Sequence, residues 1–190
     1  MYKREIRALG IDDGPFTFRE KRVIVVGVVL RGGGYVEGVL KKSVEVDGSD
    51  ATDVVESMIK GRYKDQIKVV MIDGISLGGF NVIDIEALSK ATEMPIMSVT
   101  RDRPDMEKIK TALKNNFEDW ERRLKIINNS PLVAVETKNN QIFARFAGME
   151  KDTGKEIMKT FTIRGSIPEP IRLAHLIATA YVSGESHGKA

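Results

Sequence analysis

Val23-Ile24-Val25-Val26-Gly27-Val28-Val29-Leu30-Arg31, then Gly32-Gly33-Gly34, then Tyr35 to Val46, is the stretch that decides the fold. A β-branched, nearly continuous apolar run of this length reads as a strand buried on both faces. The glycines reach positive φ without steric cost and turn the chain as a hairpin, so that Tyr35 to Val46 returns as a partner strand. Upstream, Arg7 to Asp12 is another apolar strand, ending at the turn Asp12-Asp13-Gly14-Pro15. The first third is therefore an antiparallel meander.

Beyond Val46 the apolar period changes. Ser49 or Asp50 can cap a helix running to about Lys60, with Val54, Val55, Met58 and Ile59 facing inward. Ile67 to Ile72 is a buried strand, Asn81 caps a helix carrying Val82, Ile85 and Leu88, and Pro95 to Val99 is a short strand. From Pro104 a long, mixed-charge helix runs towards Ile127, with Trp120 as a packing anchor within it. Leu132 to Glu136 and Gln141 to Phe146 pair around Lys138-Asn139-Asn140, and a last apolar helix starts near Pro168 with Ile171, Leu173, Ala174, Leu176, Ile177 and Ala180. Strands joined through helices lie parallel with right-handed crossovers. The expected architecture is α/β, one mixed sheet with helices on both faces, in a single domain over residues 1–184 followed by a disordered tail over 185–190. Sites in such sheets gather at the carboxyl ends of the parallel strands.

Composition narrows the chemistry. The chain has 190 residues, no cysteine and two histidines, His175 and His187. Disulfide frameworks, thiolate metal sites, cysteine nucleophiles and multi-histidine zinc sites are excluded. The charge of +3 is too small to imply nucleic-acid binding by itself. Aromatic residues make up 6% of the chain and are not interleaved with basic ones, which gives little support for a base-stacking surface. The charged start has no secretory core, and the stretch Val23 to Leu30 falls far short of the roughly 20 residues of a membrane helix. The expected location is the cytoplasm, away from membranes.

What remains is carboxylates at strand ends. Asp12 ends Gly10-Ile11-Asp12, Asp73 ends Val70-Met71-Ile72-Asp73, and Asp47 and Asp50 lie where the third strand hands over to the first helix. If the first and fourth strands are parallel neighbours, Asp12 and Asp73 converge. Converging carboxylates raise one another's pKa, a cost that a hard cation such as Mg²⁺ or Mn²⁺ removes. Such cations activate water and stabilise the leaving oxygen of a phosphodiester. Read singly, each aspartate reads first as a turn or cap residue, and it is Asp12 and Asp73 together that favour function. Gly78-Gly79-Phe80-Asn81 is either a phosphate-holding helix start or a tight loop. Arg101 and Arg103 either contact backbone phosphate or pair with Asp102 and Asp105. Arg172 and His175 share a helix face, where His175 reads as a packing residue.

The meander, Gly10-Ile11-Asp12, Ile72-Asp73-Gly74, Pro95-Ile96-Met97-Ser98-Val99 and Pro168-Glu169-Pro170-Ile171-Arg172-Leu173-Ala174-His175 together resemble endonuclease V. That enzyme has a ribonuclease H-like fold and cuts inosine-containing nucleic acid using Mg²⁺. Over nearly its full length the chain more closely resembles an archaeal family of uncharacterised proteins regarded as distant relatives of that enzyme. Ile11-Asp12-Asp13-Gly14-Pro15-Phe16, Val46-Asp47-Gly48-Ser49-Asp50-Ala51-Thr52 and Gly78-Gly79-Phe80-Asn81-Val82-Ile83-Asp84 look like that family's signatures. The resemblance implies a ribonuclease H-like sheet, Mg²⁺ or Mn²⁺ as cofactor, and DNA or RNA as partner. Asp12 matches the nuclease's first metal-binding aspartate and Asp73 its later one. Asp50 or Asp47 would stand in for a catalytic glutamate after the third strand. Arg101 takes the place of a lysine after the short strand, keeping the charge and changing the donor geometry. The nuclease's Pro-Tyr-Ile-Pro wedge is missing around Lys41 to Val46, its histidine-rich stretch is replaced by Ile75 to Phe80, and its Ser-Gly-His element is not evident between Gly148 and Thr160. The expected function is metal-dependent phosphodiester hydrolysis; the alternatives are a nucleic-acid-binding protein that kept the fold and lost the chemistry, and an interaction protein.

Overall fold

The computed structural model describes residues 5–32, 34–137 and 140–187. The meander is formed by β1 (Arg7–Asp13), β2 (Arg22–Arg31) and β3 (Tyr35–Glu45), paired antiparallel. Gly33 of its expected turn lies outside the described residues, and Gly34 has φ +95°. After it come α1 (Ala51–Ile59), β4 (Ile67–Asp73), a small hairpin of β5 (Ser76–Leu77) and β6 (Asn81–Val82), α2 (Ile85–Thr92) and β7 (Ile96–Thr100). The chain continues through α3 (Met106–Asn116), α4 (Trp120–Asn129), β8 (Val133–Glu136), β9 (Gln141–Ala147), α5 (Lys151–Phe161) and α6 (Glu169–Ser183).

Seven strands form one mixed sheet in the order β3-β2-β1-β4-β7-β9-β8. β4 lies parallel to β1 and to β7, because α1 and α2 carry the chain back between them, whereas β9 returns antiparallel to β7. Strand alternation sorts the core. Leu9, Ile11, Val70 and Ile72 pack with Val55, Met58, Ile85 and Leu88 of α1 and α2 on one face. Ala8, Val69, Met71 and Val99 pack with Ile157, Phe161 and Ile171 of α5 and α6 on the other. Helices therefore cover both faces, as the pattern of elements requires.

Three local features differ from the sequence expectation. The helix expected from Pro104 towards Ile127 is two helices, broken at Phe117, whose backbone is extended (φ −136°, ψ 131°). Phe117 instead packs edge-on against Phe80 at 5.7 Å, a tertiary contact that local helix period does not reveal. Asn81 does not cap a helix: it belongs to β6, and Asp84 caps α2 by accepting the Ala87 N–H at 2.9 Å. α5 was not read from the sequence, because Gly154 and many charged residues hide its buried stripe of Ile157, Met158 and Phe161. The second hairpin forms, with Lys138 and Asn139 outside the described residues. Of the expected tail, residues 188–190 are also outside them. Among the described residues no helix is long and apolar enough to cross a membrane.

α6 lies directly on β1, and glycine makes that approach possible. A Cβ at Gly10 would overlap the backbone of Pro170. Five residues along a helix rise about 7.5 Å, and two along a strand about 6.6 Å. Seating Pro170 over Gly10 therefore carries His175 to Asp12.

Candidate metal centre

β1 and β4 are parallel neighbours in register, with Ile11 opposite Ile72. Asp12 and Asp73 follow those residues and, by strand alternation, both point to the α6 face. His175 comes down from the stripe of α6 that buries Ile171, Ala174 and Ala178. One potential ligand atom from each of Asp12, Asp73 and His175 lies within 4.8 Å of the others. A cation bonded at roughly 2.1 Å joins donors up to about 4.2 Å apart, so the cluster is close to the spread one ion needs. The acids are drawn from residues 61 positions apart in number, and the sheet alone unites them.

Asp12 is 4% exposed. Its Oδ1 accepts the Asp13 N–H at 2.8 Å, and its Oδ2 lies 2.8 Å from His175 Nδ1. With Asp12 ionised, the ring donates from Nδ1. Burial pushes the Asp12 carboxyl up to about 7, and the nearby Asp73 and Asp13 charges add to the rise against the opposing pull of His175. Burial likewise raises Asp73, with Arg101 and His175 pulling it down and Asp13 pushing it up. The hydrogen bond that His175 donates to Asp12 lifts the imidazole above its usual value despite burial. Burial of two neighbouring acids carries a cost that a divalent cation would offset, and two carboxylates plus an imidazole are a fitting donor set for one.

The other residues singled out in the sequence fall elsewhere. Arg101, just beyond β7, is near enough to act on Asp73 and His175 electrostatically. Asp47 and Asp50 are not members of the cluster. Asp47 has φ +54°, and its Oδ1 accepts the Phe80 N–H at 2.8 Å. Asp50 Oδ1 accepts the Glu45 N–H at 3.0 Å and an Asn81 amide N–H at 2.7 Å, and its Oδ2 takes Arg22 Nη2 at 3.1 Å. Burial raises the Asp50 carboxyl, but these hydrogen bonds and the Arg22 charge outweigh it and hold the group below the ordinary carboxylate range. Asp50 occupies the N-cap position of α1 without a side-chain capping bond; Asn81 Oδ1 satisfies the Ala51 N–H instead, at 2.9 Å. Gly78 and Phe80 do not offer N–H groups to phosphate, since these already donate to Asp13 (2.5 Å) and Asp47. Trp120 starts α4 and packs in a small cluster with Leu113, Ile127 and Val82.

Two residues of the centre were not selected by sequence reasoning. His175 looked like a packing residue; the signal that it is more is its place beside the sheet-facing positions Ile171, Ala174 and Ala178. Asp13 looked like a turn residue. It faces the opposite side of β1, tying Gly78, and its half-buried charge acts on both Asp12 and Asp73.

A family model described as Endonuclease dU matches residues 4–182. A protein of Methanothermobacter thermautotrophicus, named UPF0215 protein, is 47% identical over 99% of this chain and 93% of its own length. A crystal structure of a protein from Archaeoglobus fulgidus superposes with a TM-score of 0.83 at 37% identity, covering 94% of this chain and 98% of that one. Ciona intestinalis endonuclease V, in complex with inosine-containing DNA, superposes with a TM-score of 0.60 at 13% identity over 90% of this chain and 83% of that one. The last similarity is one of fold, and makes the mixed sheet ribonuclease H-like.

Proposed function

The chain belongs to the Endonuclease dU family, and from that premise we propose that it is a divalent-cation-dependent nuclease that hydrolyses DNA at or near deoxyuridine. The observation that carries the reading is the convergence of Asp12, Asp73 and His175 at the carboxyl ends of adjacent parallel strands. Mg²⁺ or Mn²⁺ bound there would polarise the phosphate and lower the pKa of water. The chain's own groups do the rest. Asp12 is fixed in orientation between the Asp13 N–H and His175, and hydrogen bonds of that kind orient metal ligands. Asp73 supplies the second carboxylate from the neighbouring strand. Arg101 stands on the same side and offsets charge developing on the phosphate. Asp47 and Asp50 act at one remove, by holding the loops that bring β6 and α1 against the sheet. The structural neighbour solved with inosine-containing DNA supports nucleic acid as the substrate class.

The test is cleavage of DNA and RNA oligonucleotides carrying one deoxyuridine, one inosine or neither, across an Mg²⁺ and Mn²⁺ titration. The expected result is cation-dependent cleavage that favours the deoxyuridine DNA. It should fall by more than about 100-fold in Asp12→Ala and in Asp73→Ala, beyond the loss that removing mere supporting residues causes. Cleavage that survives the double substitution overturns the reading. So does wild-type protein that binds these oligonucleotides and cuts none of them, which would make it a nucleic-acid-binding protein.

A further inference from the structure

A groove of about 580 Å³ runs between the exposed edge of the meander and the carboxyl-terminal half of α6, lined by Arg22, Ile24, Lys41, Lys42, Ser43 and Tyr181. Strand register ties it to the metal centre. Asp12 pairs with Val26, and Val26 with Lys41, so Lys41 stands in the same cross-strand row and on the same face as Asp12. Two strand spacings put their backbones roughly 10 Å apart. On the helix side, Tyr181 follows His175 by six residues, a rise of about 9 Å. Ile24 joins the two regions, for its carbonyl accepts the Gly14 N–H at 3.0 Å just past the end of β1.

Lys41 and Tyr181 are 140 positions apart and meet at the groove. Lys41 Nζ donates to the Tyr181 hydroxyl at 2.9 Å and lies 4.6 Å from the ring centroid. Tyr181 is 63% exposed, and Val182 beside it 48%. A contact so open to water adds little to stability. Its consequence is positional: an ammonium and an exposed aromatic ring are held together two strands away from Asp12. The charge of Arg22 is already offset by Glu45 and Asp50, so the groove's cationic character rests on Lys41. An ammonium paired with an exposed ring is the combination that takes a phosphate and stacks a base of one unpaired nucleic-acid strand.

We propose that this groove holds the nucleic-acid strand flanking the scissile phosphate, with Lys41 on a backbone phosphate and Tyr181 against the adjoining base. The proposal rests on the nuclease reading and adds the path of the strand: from Asp12 and Asp73 round the carboxyl-terminal end of α6, which covers Val26 and Val28 of β2, to the β3 edge, rather than across α3 and α4.

Binding of a fluorescent single-stranded 12-mer, measured by anisotropy in EDTA at salt concentrations from 50 to 200 mM, tests it without cleavage. Tyr181→Ala should weaken binding by roughly 5-fold or more, as loss of a stacking ring does, and Tyr181→Phe should restore most of it. Lys41→Ala should lower the slope of log affinity against log salt by about 0.7, the share of one phosphate contact on a single strand. Lys90→Ala, exposed on α2 across the sheet, is the control and should match wild type. Unchanged binding in both Lys41→Ala and Tyr181→Ala overturns the groove and leaves the nuclease reading standing. Wild-type protein that binds no oligonucleotide across the salt series also overturns it. Loss of binding in the variants of a protein that cuts nothing keeps the groove and removes the nuclease.

Discussion

Two corners of this molecule hold aspartates in opposite electrostatic conditions. At the ends of β1 and β4, Asp12 and Asp73 are raised by burial, Asp12 further by Asp73 and Asp13 and Asp73 by Asp13, and Asp12 receives one backbone N–H and one imidazole. At the junction of β3 and α1, Asp50 receives a backbone N–H, an amide N–H and a guanidinium, and titrates below the ordinary range. The residue type and the strand-end setting are the same. The difference is first burial, Asp12 being 4% exposed and the Asp50 side chain 28%, and then how many donors the fold supplies. A carboxylate whose lone pairs are filled by the protein is a brace between segments; one left among like charges has an unmet demand for a cation.

Supplying the cation is the strongest way to break this comparison. Mg²⁺ or Mn²⁺ at about 100 times its dissociation constant stabilises the state that binds it by about 2.7 kcal/mol. For a chain of this size that is a rise in Tm of roughly 5–10 °C. Wild type and Asp50→Asn should both show the rise in a thermal melt, while Asp12→Asn should not. Without cation, Asp12→Asn should melt above wild type, because it removes a charge that burial and Asp73 oppose. An Asp12→Asn protein that melts lower without cation and still gains from it would mean that Asp12 is a brace like Asp50.

The next effect comes from the contact that brings His175 to the acids. Gly10→Ala forces a methyl group into the Pro170 backbone, which cannot rotate away as a side chain would. The cost should lie near the upper end of the range for overpacking, about 3 kcal/mol. Displacement of α6 should also weaken cation binding by about 10-fold or more, as loss of ligand support does. Urea unfolding and calorimetric titration read the two effects. A stability within about 0.5 kcal/mol of wild type would show that α6 is not pinned there, since surface changes without such a role fall in that range.

Gly10 also marks where the sequence stops being legible. The β-branched run of β2, the glycine turn and the switch to helical period were enough for the meander, the parallel strands and the helices on both faces. Asp12 and Asp73 were legible as converging, because strand ends of adjacent parallel strands must lie together. The rest depended on tertiary contacts with no local period. His175 reaches Asp12 across 163 positions through the seat of Pro170 on Gly10, and nothing in the apolar helix around it announces a ligand. Asp47 and Asp50 occupy the position where a third acid was expected, and only the partners Phe80, Asn81 and Arg22 turn them to loop support. α3 and α4 read as one helix because the break at Phe117 serves packing against Phe80.

The smallest effect sharpens the contrast from the side of the brace. Asp50 has a lowered folded-state pKa. Its ionised form therefore contributes stability above the unfolded aspartate value of about 3.9, and that contribution fades as pH falls through the folded value. Asp50→Asn keeps an oxygen for the Glu45 and Asn81 donors and loses the charge that Arg22 meets. Urea unfolding should show wild type more stable than Asp50→Asn at pH 7, with the gap closing towards pH 3. Because the Asp50 side chain is 28% exposed, water screens the pair and keeps the gap small. A gap that widens in acid would place Asp50 with Asp12, as a carboxylate the fold strains rather than satisfies, and the distinction between the two corners would fail.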